Sequence, residues 1–107
     1  MVKVSAIYPN TPNARFDWEY YIDKHVARCV ELFGTHPGFK GVSVERGLGG
    51  GTPGEAVPFV AICQFTFDSA ESLNEALAPH AAALQADVAN FTAIEPTLQI
   101  SEVVMSS

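Results

Sequence analysis

The nine residues Phe59-Val60-Ala61-Ile62-Cys63-Gln64-Phe65-Thr66-Phe67 constrain this chain more than any other stretch. Aromatic and β-branched types dominate, and one face is wholly apolar, so the segment reads as a strand at the centre of a sheet. Phe59, Ala61, Cys63, Phe65 and Phe67 are expected to face helices. Val60, Ile62, Gln64 and Thr66 leave the opposite face semi-apolar, and such a face is either partly wet or covered by something this chain does not encode. A length of 107 residues supplies one core rather than two, so the other elements are expected to surround this strand in a single domain, residues 1–107.

Residues 2–8 alternate and are rich in β-branched types, which predicts a strand with Val2, Val4, Ala6 and Tyr8 on one face. Two prolines and two asparagines between Pro9 and Asn13 then make a loop. Asp17 is a good N-cap, since its carboxylate can accept from the free N–H groups of a first helical turn, and Glu19 adds charge favourable to that helix end. From there Trp18, Tyr21, Ile22, His25, Val26, Cys29, Leu32 and Phe33 recur at three- and four-residue steps, the stripe of an amphipathic helix running to Phe33. Gly34, tolerant of positive φ, is expected to end it.

Residues 40–48 are expected to form a second strand, with Val42, Val44, Arg46 and Leu48 on one face. The glycine-rich run from Gly49 to Pro58 connects it to the central strand. After that strand Asp68 or Ser69 caps a second helical region whose inward stripe is Leu73, Leu77, His80, Leu84 and Val88. Pro79 interrupts the stripe, because a proline inside a helix removes a hydrogen bond and clashes with the preceding turn, so a kink or two short helices are expected. Residues 97–105 alternate again as a last strand. The order β-α-β-β-α-β is that of a ferredoxin-like α+β fold, an antiparallel four-stranded sheet with the helices on one face. Right-handed crossovers put the first and third strands in the middle.

Composition narrows the function classes. The chain is 48% hydrophobic and 17% charged, as ordered globular proteins are. Twelve acidic against six basic residues give a formal charge of −6, and the bases are scattered, so a nucleic-acid partner is not expected. No apolar run approaches the roughly eighteen residues of a membrane span, and Met1-Val2-Lys3-Val4 does not resemble a signal peptide. A cytoplasmic protein without membrane association is expected. Cys29 and Cys63 sit among apolar neighbours in predicted elements, where a thiol acts as a small buried hydrophobe, and neither a disulfide framework nor a zinc site is expected.

The inward histidine of the first helix has two readings. His25 is either a core residue bonded to a backbone carbonyl or a tyrosine, or the working end of a site, where a partly desolvated imidazole can serve as acid, base or donor. Tyr21, one turn earlier, could supply a hydroxyl beside it. His80 shares the stripe of the second helical region and could be aimed into the same space, or could be exposed or capping. Two histidines alone make a weak metal site, because such a site usually takes three or more ligands and no carboxylate is evidently placed to be the third. Gly49-Gly50-Gly51-Thr52-Pro53-Gly54 spells G-x-G-x-x-G, yet a dinucleotide site needs the glycines to open a helix, and here another strand follows. No organic cofactor is expected.

Several short motifs in a fixed order resemble the EthD family over nearly the whole chain. They are Tyr8-Pro9, Phe16-Asp17-x-x-Tyr20-Tyr21-x-x-x-His25, Pro58-Phe59-Val60, Phe67-Asp68-Ser69, Ala86-Asp87-x-x-Asn90-Phe91-Thr92, Glu95-Pro96 and Gln99-Ile100. The chain departs from that pattern at Val26-Ala27, where Met-Pro is typical, and at Ala93, where Asn is common. The resemblance implies membership of the dimeric α+β barrel group, in which two protomers pack sheet to sheet, so a homodimer covering the semi-apolar face is expected. It further implies a small apolar organic ligand held between helices and sheet, in aromatic, ether or polyketide-like catabolism. His25 is then the candidate acid or base, and Tyr21, Trp18, Tyr8, His80 and Phe65 are candidate ligand contacts. The group includes cofactor-independent oxygenases, isomerases and cyclases. The alternatives are a non-catalytic ligand-binding or accessory protein for an oxidase system, and a stress-linked dimer with no ligand.

Overall fold

The computed structural model describes residues 1–107. Four antiparallel strands, β1 (Val2–Pro9), β2 (Phe39–Arg46), β3 (Phe59–Phe67) and β4 (Thr97–Glu102), form one sheet in the order β2-β3-β1-β4. The central strand pairs along its whole length, Val4 opposite Phe65 and Ala6 opposite Cys63 on the β1 side, Val44 opposite Cys63 on the β2 side. Ala61, Cys63, Phe65 and Phe67 are buried under the helices as their alternation requires, whereas Phe59 at the strand start is 40% exposed. β2 and β4 are shorter than the sequence pattern suggested. Leu48 lies past the end of β2 and is 94% exposed, and β4 stops at Glu102.

The first helix, α1, runs without a break from Trp18–Tyr20 through Tyr21–Val26 to Ala27–Phe33. Asp17 caps it, its carboxylate accepting from the Tyr20 N–H at 3.1 Å. The middle segment, Tyr21–Val26, is π-helical, and the Ala27 N–H reaches back to the Ile22 carbonyl, five residues earlier. Such widened turns are rare and shift the phase of the side chains around the axis. Tyr21, His25, Val26, Cys29 and Phe33 point into the core, but Ile22, part of the expected inward stripe, is carried out to 42% exposure. Gly34 ends the helix in the right-handed region at φ −64°. Its use is close approach rather than positive φ, since a Cβ there would lie 2.7 Å from the Val30 carbonyl oxygen.

Pro79 divides the second helical region into α2 (Ala70–Leu77) and α3 (Ala81–Asp87), followed by a single 3₁₀ turn, Val88–Asn90. Ser69, not Asp68, is the N-cap of α2 and accepts from the Ser72 N–H. The chain after α3 is then tied to the start of α1. The Asp17 N–H donates to the Phe91 carbonyl at 2.8 Å, and the Thr92 hydroxyl donates to the Arg15 carbonyl at 2.6 Å. Phe91 is fully buried and packs on Tyr8, Phe16, Tyr21 and His25 with ring centroids 4.8–5.9 Å apart. Aromatic pairs of this kind contribute about 0.5–1.5 kcal/mol each beyond area burial. The cluster fixes the relative positions of α1 and the end of α3.

Candidate functional site

That clamp brings the last residue of α3 against the middle of α1. His25 Nδ1 and Asp87 Oδ2 are 2.8 Å apart. The other carboxylate oxygen, Asp87 Oδ1, accepts from the Tyr20 hydroxyl at 2.7 Å and from Asn90 Nδ2 at 2.8 Å. Burial pushes the Asp87 carboxyl upward, but the hydrogen bonds from Asn90, Tyr20 and His25 outweigh it and hold the group below its ordinary value. An ionised Asp87 accepts the Nδ1 proton and so leaves Nε2 of a neutral His25 with its lone pair free. No sealed side-chain nitrogen or oxygen lacks a partner, and Nε2 has none within the protein, so it opens onto accessible space.

His25 lines a cavity of about 110 Å³ between the helices and the sheet, with eleven of its fourteen lining residues hydrophobic. Val4, Ala6 and Tyr8 of β1, Phe65 of β3 and Leu98 of β4 form the sheet side. Cys29 and Phe33 of α1, and Ala81, Leu84 and Gln85 of α3, form the helix side, with His25 between them. Burial pushes the Cys29 thiol up to about 12, so at neutral pH it is an apolar-wall residue and not a nucleophile.

Of the residues singled out in the sequence, His25, Tyr8 and Phe65 line the cavity, and Tyr21, Trp18 and His80 do not. The Tyr21 ring, not its hydroxyl, meets the imidazole, stacked at 5.8 Å with the planes 16° apart. Its hydroxyl lies against Cys63 and Tyr8 in the core, where burial raises its pKa far above the usual phenol value. Trp18 packs on Phe16 with centroids 4.7 Å apart and carries the Arg46 guanidinium 4.4 Å above its ring. His80 occupies the turn before α3 and makes no side-chain capping bond. No cluster of three His, Cys, Asp or Glu side chains has metal-binding proximity.

Asp87 and Tyr20 are the members of the site that sequence reasoning passed over. Asp87 is 62 residues from His25, and Tyr20, which enters the sequence reading only as part of a motif, donates to it. The signal lay in the motifs: Phe16-Asp17 and Asn90-Phe91-Thr92 are neighbours in space, joined by the bridge between Phe16 and Thr92.

The strand order, the helices on one face and the chamber between them define the ferredoxin-like fold of the dimeric α+β barrel group. Within it the chain belongs to the EthD family, whose model, described as EthD domain, matches residues 13–95. An EthD-like protein from Ralstonia eutropha JMP134 is 42% identical, with 99% of this chain and 94% of that chain covered and a TM-score of 0.88. An EthD family protein from Bacillus halodurans C-125 shares the fold at 24% identity, covering 95% of this chain and 97% of that one, with a TM-score of 0.62. SnoaB, a cofactor-independent oxygenase from Streptomyces nogalater, shares it at 19% identity, covering 98% and 93%, with a TM-score of 0.52. No curated protein gives a significant match. No helix is long and apolar enough to cross a membrane.

Proposed function

We propose that this protein binds a small apolar organic molecule in the cavity between helices and sheet, and that His25 acts on it as acid and base. One observation carries the reading: an imidazole whose Nδ1 is held by Asp87 at 2.8 Å, and whose other nitrogen is unpartnered and accessible, lines an apolar chamber. A base must sit within hydrogen-bond reach of the proton it takes, and a carboxylate behind the ring stabilises the imidazolium that forms. The proton leaves the ligand for Nε2, and the resulting anion is paired with an imidazolium backed by Asp87. Returning the proton to a second atom of the ligand completes an isomerisation with no other reactant. The membership of a cofactor-independent oxygenase in the same fold group supports organic chemistry without a bound cofactor on this scaffold.

The working unit is a homodimer joined through the sheet face away from the helices. Ile7 and Ile62 stand opposite each other there, beside a polar patch in which Gln64 Nε2 donates to Ser5 Oγ at 3.3 Å. An apolar cross-strand pair in the middle of an uncovered sheet is a surface that a second copy would bury. Sedimentation of the wild type at twice the protomer mass, and of Ile62→Asp at the protomer mass, is expected. A wild-type monomer at all concentrations would end the dimer assignment.

The site is tested with His25→Gln, which keeps a hydrogen-bonding side chain of similar reach without the titration. Ligand binding is retained and proton exchange into a bound enolisable ketone, followed by deuterium uptake, falls by about 10²–10⁴-fold. Equal exchange rates in wild type and variant would rule out the acid–base role and leave a binding protein.

A further inference from the structure

The reading of the cavity as a binding site can be taken one step further, to the class of molecule it accepts. The chamber has two polar side chains that differ in depth. His25 is 8% exposed and lies at the inner end, whereas Gln85 is exposed and lies where α3 meets the solvent. Gln64 bonds to Ser5 and Gln99 to Ser101, but the Gln85 amide is left without a partner. It shares its wall with Leu84 and Ala81, so the amide stands at the rim of an apolar face.

No Asp, Glu, Lys or Arg side chain lines the cavity. A ligand that arrives charged would be desolvated among apolar walls with no permanently charged side chain opposite it, which is costly, whereas a neutral one becomes an anion only as its proton passes to His25. The protein's formal charge of −6 adds a field that disfavours anions in particular. Apolar walls with one polar group inside and one outside are complementary to a neutral molecule that has an apolar body and a polar atom at each end.

We infer that the cavity selects a neutral ligand with a protic group, a phenol or enol hydroxyl, delivered to His25 Nε2, and a second oxygen held at the mouth by the Gln85 amide. Gln85 is thereby the specificity-determining residue. This rests on the cavity being the ligand site, as proposed above.

The test uses three molecules of the same shape: para-ethylphenol, which has only the inner polar group; para-hydroxyacetophenone, which has both; and para-hydroxybenzoate, whose outer group is an anion. Each is titrated into the full-length protein near neutral pH, with affinity read from the methyl signals of Leu84 and Val88. The expected order is para-hydroxyacetophenone tightest, by about three- to tenfold over para-ethylphenol, the usual range for one neutral hydrogen bond, with para-hydroxybenzoate weakest. Gln85→Leu and Gln85→Met abolish the preference for the ketone and leave para-ethylphenol affinity unchanged or improved. A preference that survives both substitutions overturns the role of Gln85 while leaving the cavity assignment intact. Tightest binding by para-hydroxybenzoate overturns the neutral class. No methyl perturbation by any of the three overturns the cavity reading and this inference together.

Discussion

Asp87 gives one carboxylate oxygen to His25 and the other to Tyr20 and Asn90, so the oxygen facing the imidazole, 2.8 Å from Nδ1, has no competing side-chain donor. The carboxylate is held by three groups from two segments, and the direction of its bond to His25 is fixed by the other two. A neutral His25 is thereby kept in the tautomer that leaves the Nε2 lone pair free.

Replacing Asp87 by Asn removes the charge and offers an N–H where an acceptor is needed. The expected result is a folded protein whose ligand affinity changes little and whose proton-transfer rate falls by about 10²–10⁴-fold, the range for loss of an acid–base contribution. Measuring deuterium exchange and ligand affinity on the same preparation separates the two effects. A rate within threefold of wild type would show that Asp87 does not orient the histidine.

The lowered pKa of Asp87 makes stability depend on pH in a defined direction. Because hydrogen bonds from Asn90, Tyr20 and His25 hold the folded carboxyl below its unfolded value, its contribution is present above that unfolded value, near 3.9. It is lost as the pH falls through the folded value. Thermal melts of wild type and Asp87→Asn at a series of pH values should show the largest difference near neutrality. The curves should converge in strong acid.

Leu84 is buried on α3 and borders the cavity. Leu84→Ala should destabilise the protein by about 2–3 kcal/mol, the lower part of the range for this exchange, because one side of the leucine already faces open space. Urea denaturation reads the loss. The enlarged chamber should also admit longer para-alkylphenols than the wild type does, which affinity measurements across a chain-length series would reveal.

Both thiols are held protonated by burial, Cys29 up to about 12 and Cys63 up to about 11. Since the thiolate is the reactive form, a disulfide reagent at mildly alkaline pH should modify the native protein at least roughly a hundredfold more slowly than the protein in denaturant. Rapid native labelling of either cysteine would show that the core around it opens readily.

Much of this architecture is legible in the residues. The alternation of β3, the cap at Asp17 and the break at Pro79 are local features, and each acts within a few residues of where it is read. That His25 faces inward also follows from the helical stripe. The pairing with Asp87 does not, because it depends on how the turn after α3 is tied to Arg15 and Asp17 across the fold. Nor does the π-helical segment, whose residues Tyr21–Val26 carry no proline or glycine to announce it. Ile22 was misplaced for that reason, since a constant 3.6-residue period does not hold through the wider turn. The role of Tyr20 is hidden for a related reason: what its hydroxyl reaches lies 67 residues away in the sequence.

The widened turn in α1 sets the register between the cap at Asp17 and the core-facing residues of the same helix. A single residue too many, accommodated without breaking the helix, separates the register of Trp18–Tyr20 from that of Ala27–Phe33. Deleting Asp23 would let the segment close into an ordinary helix, in which one residue corresponds to about 100° of rotation. The hydrophobic anchors of the second half would stay seated while Asp17 and Tyr20 turned away from Asp87 and Phe91. Without that residue the sheet and the chamber would stay, and His25, on the seated half, would keep its place, but Asp87 would lose the Tyr20 hydroxyl that steadies its second oxygen.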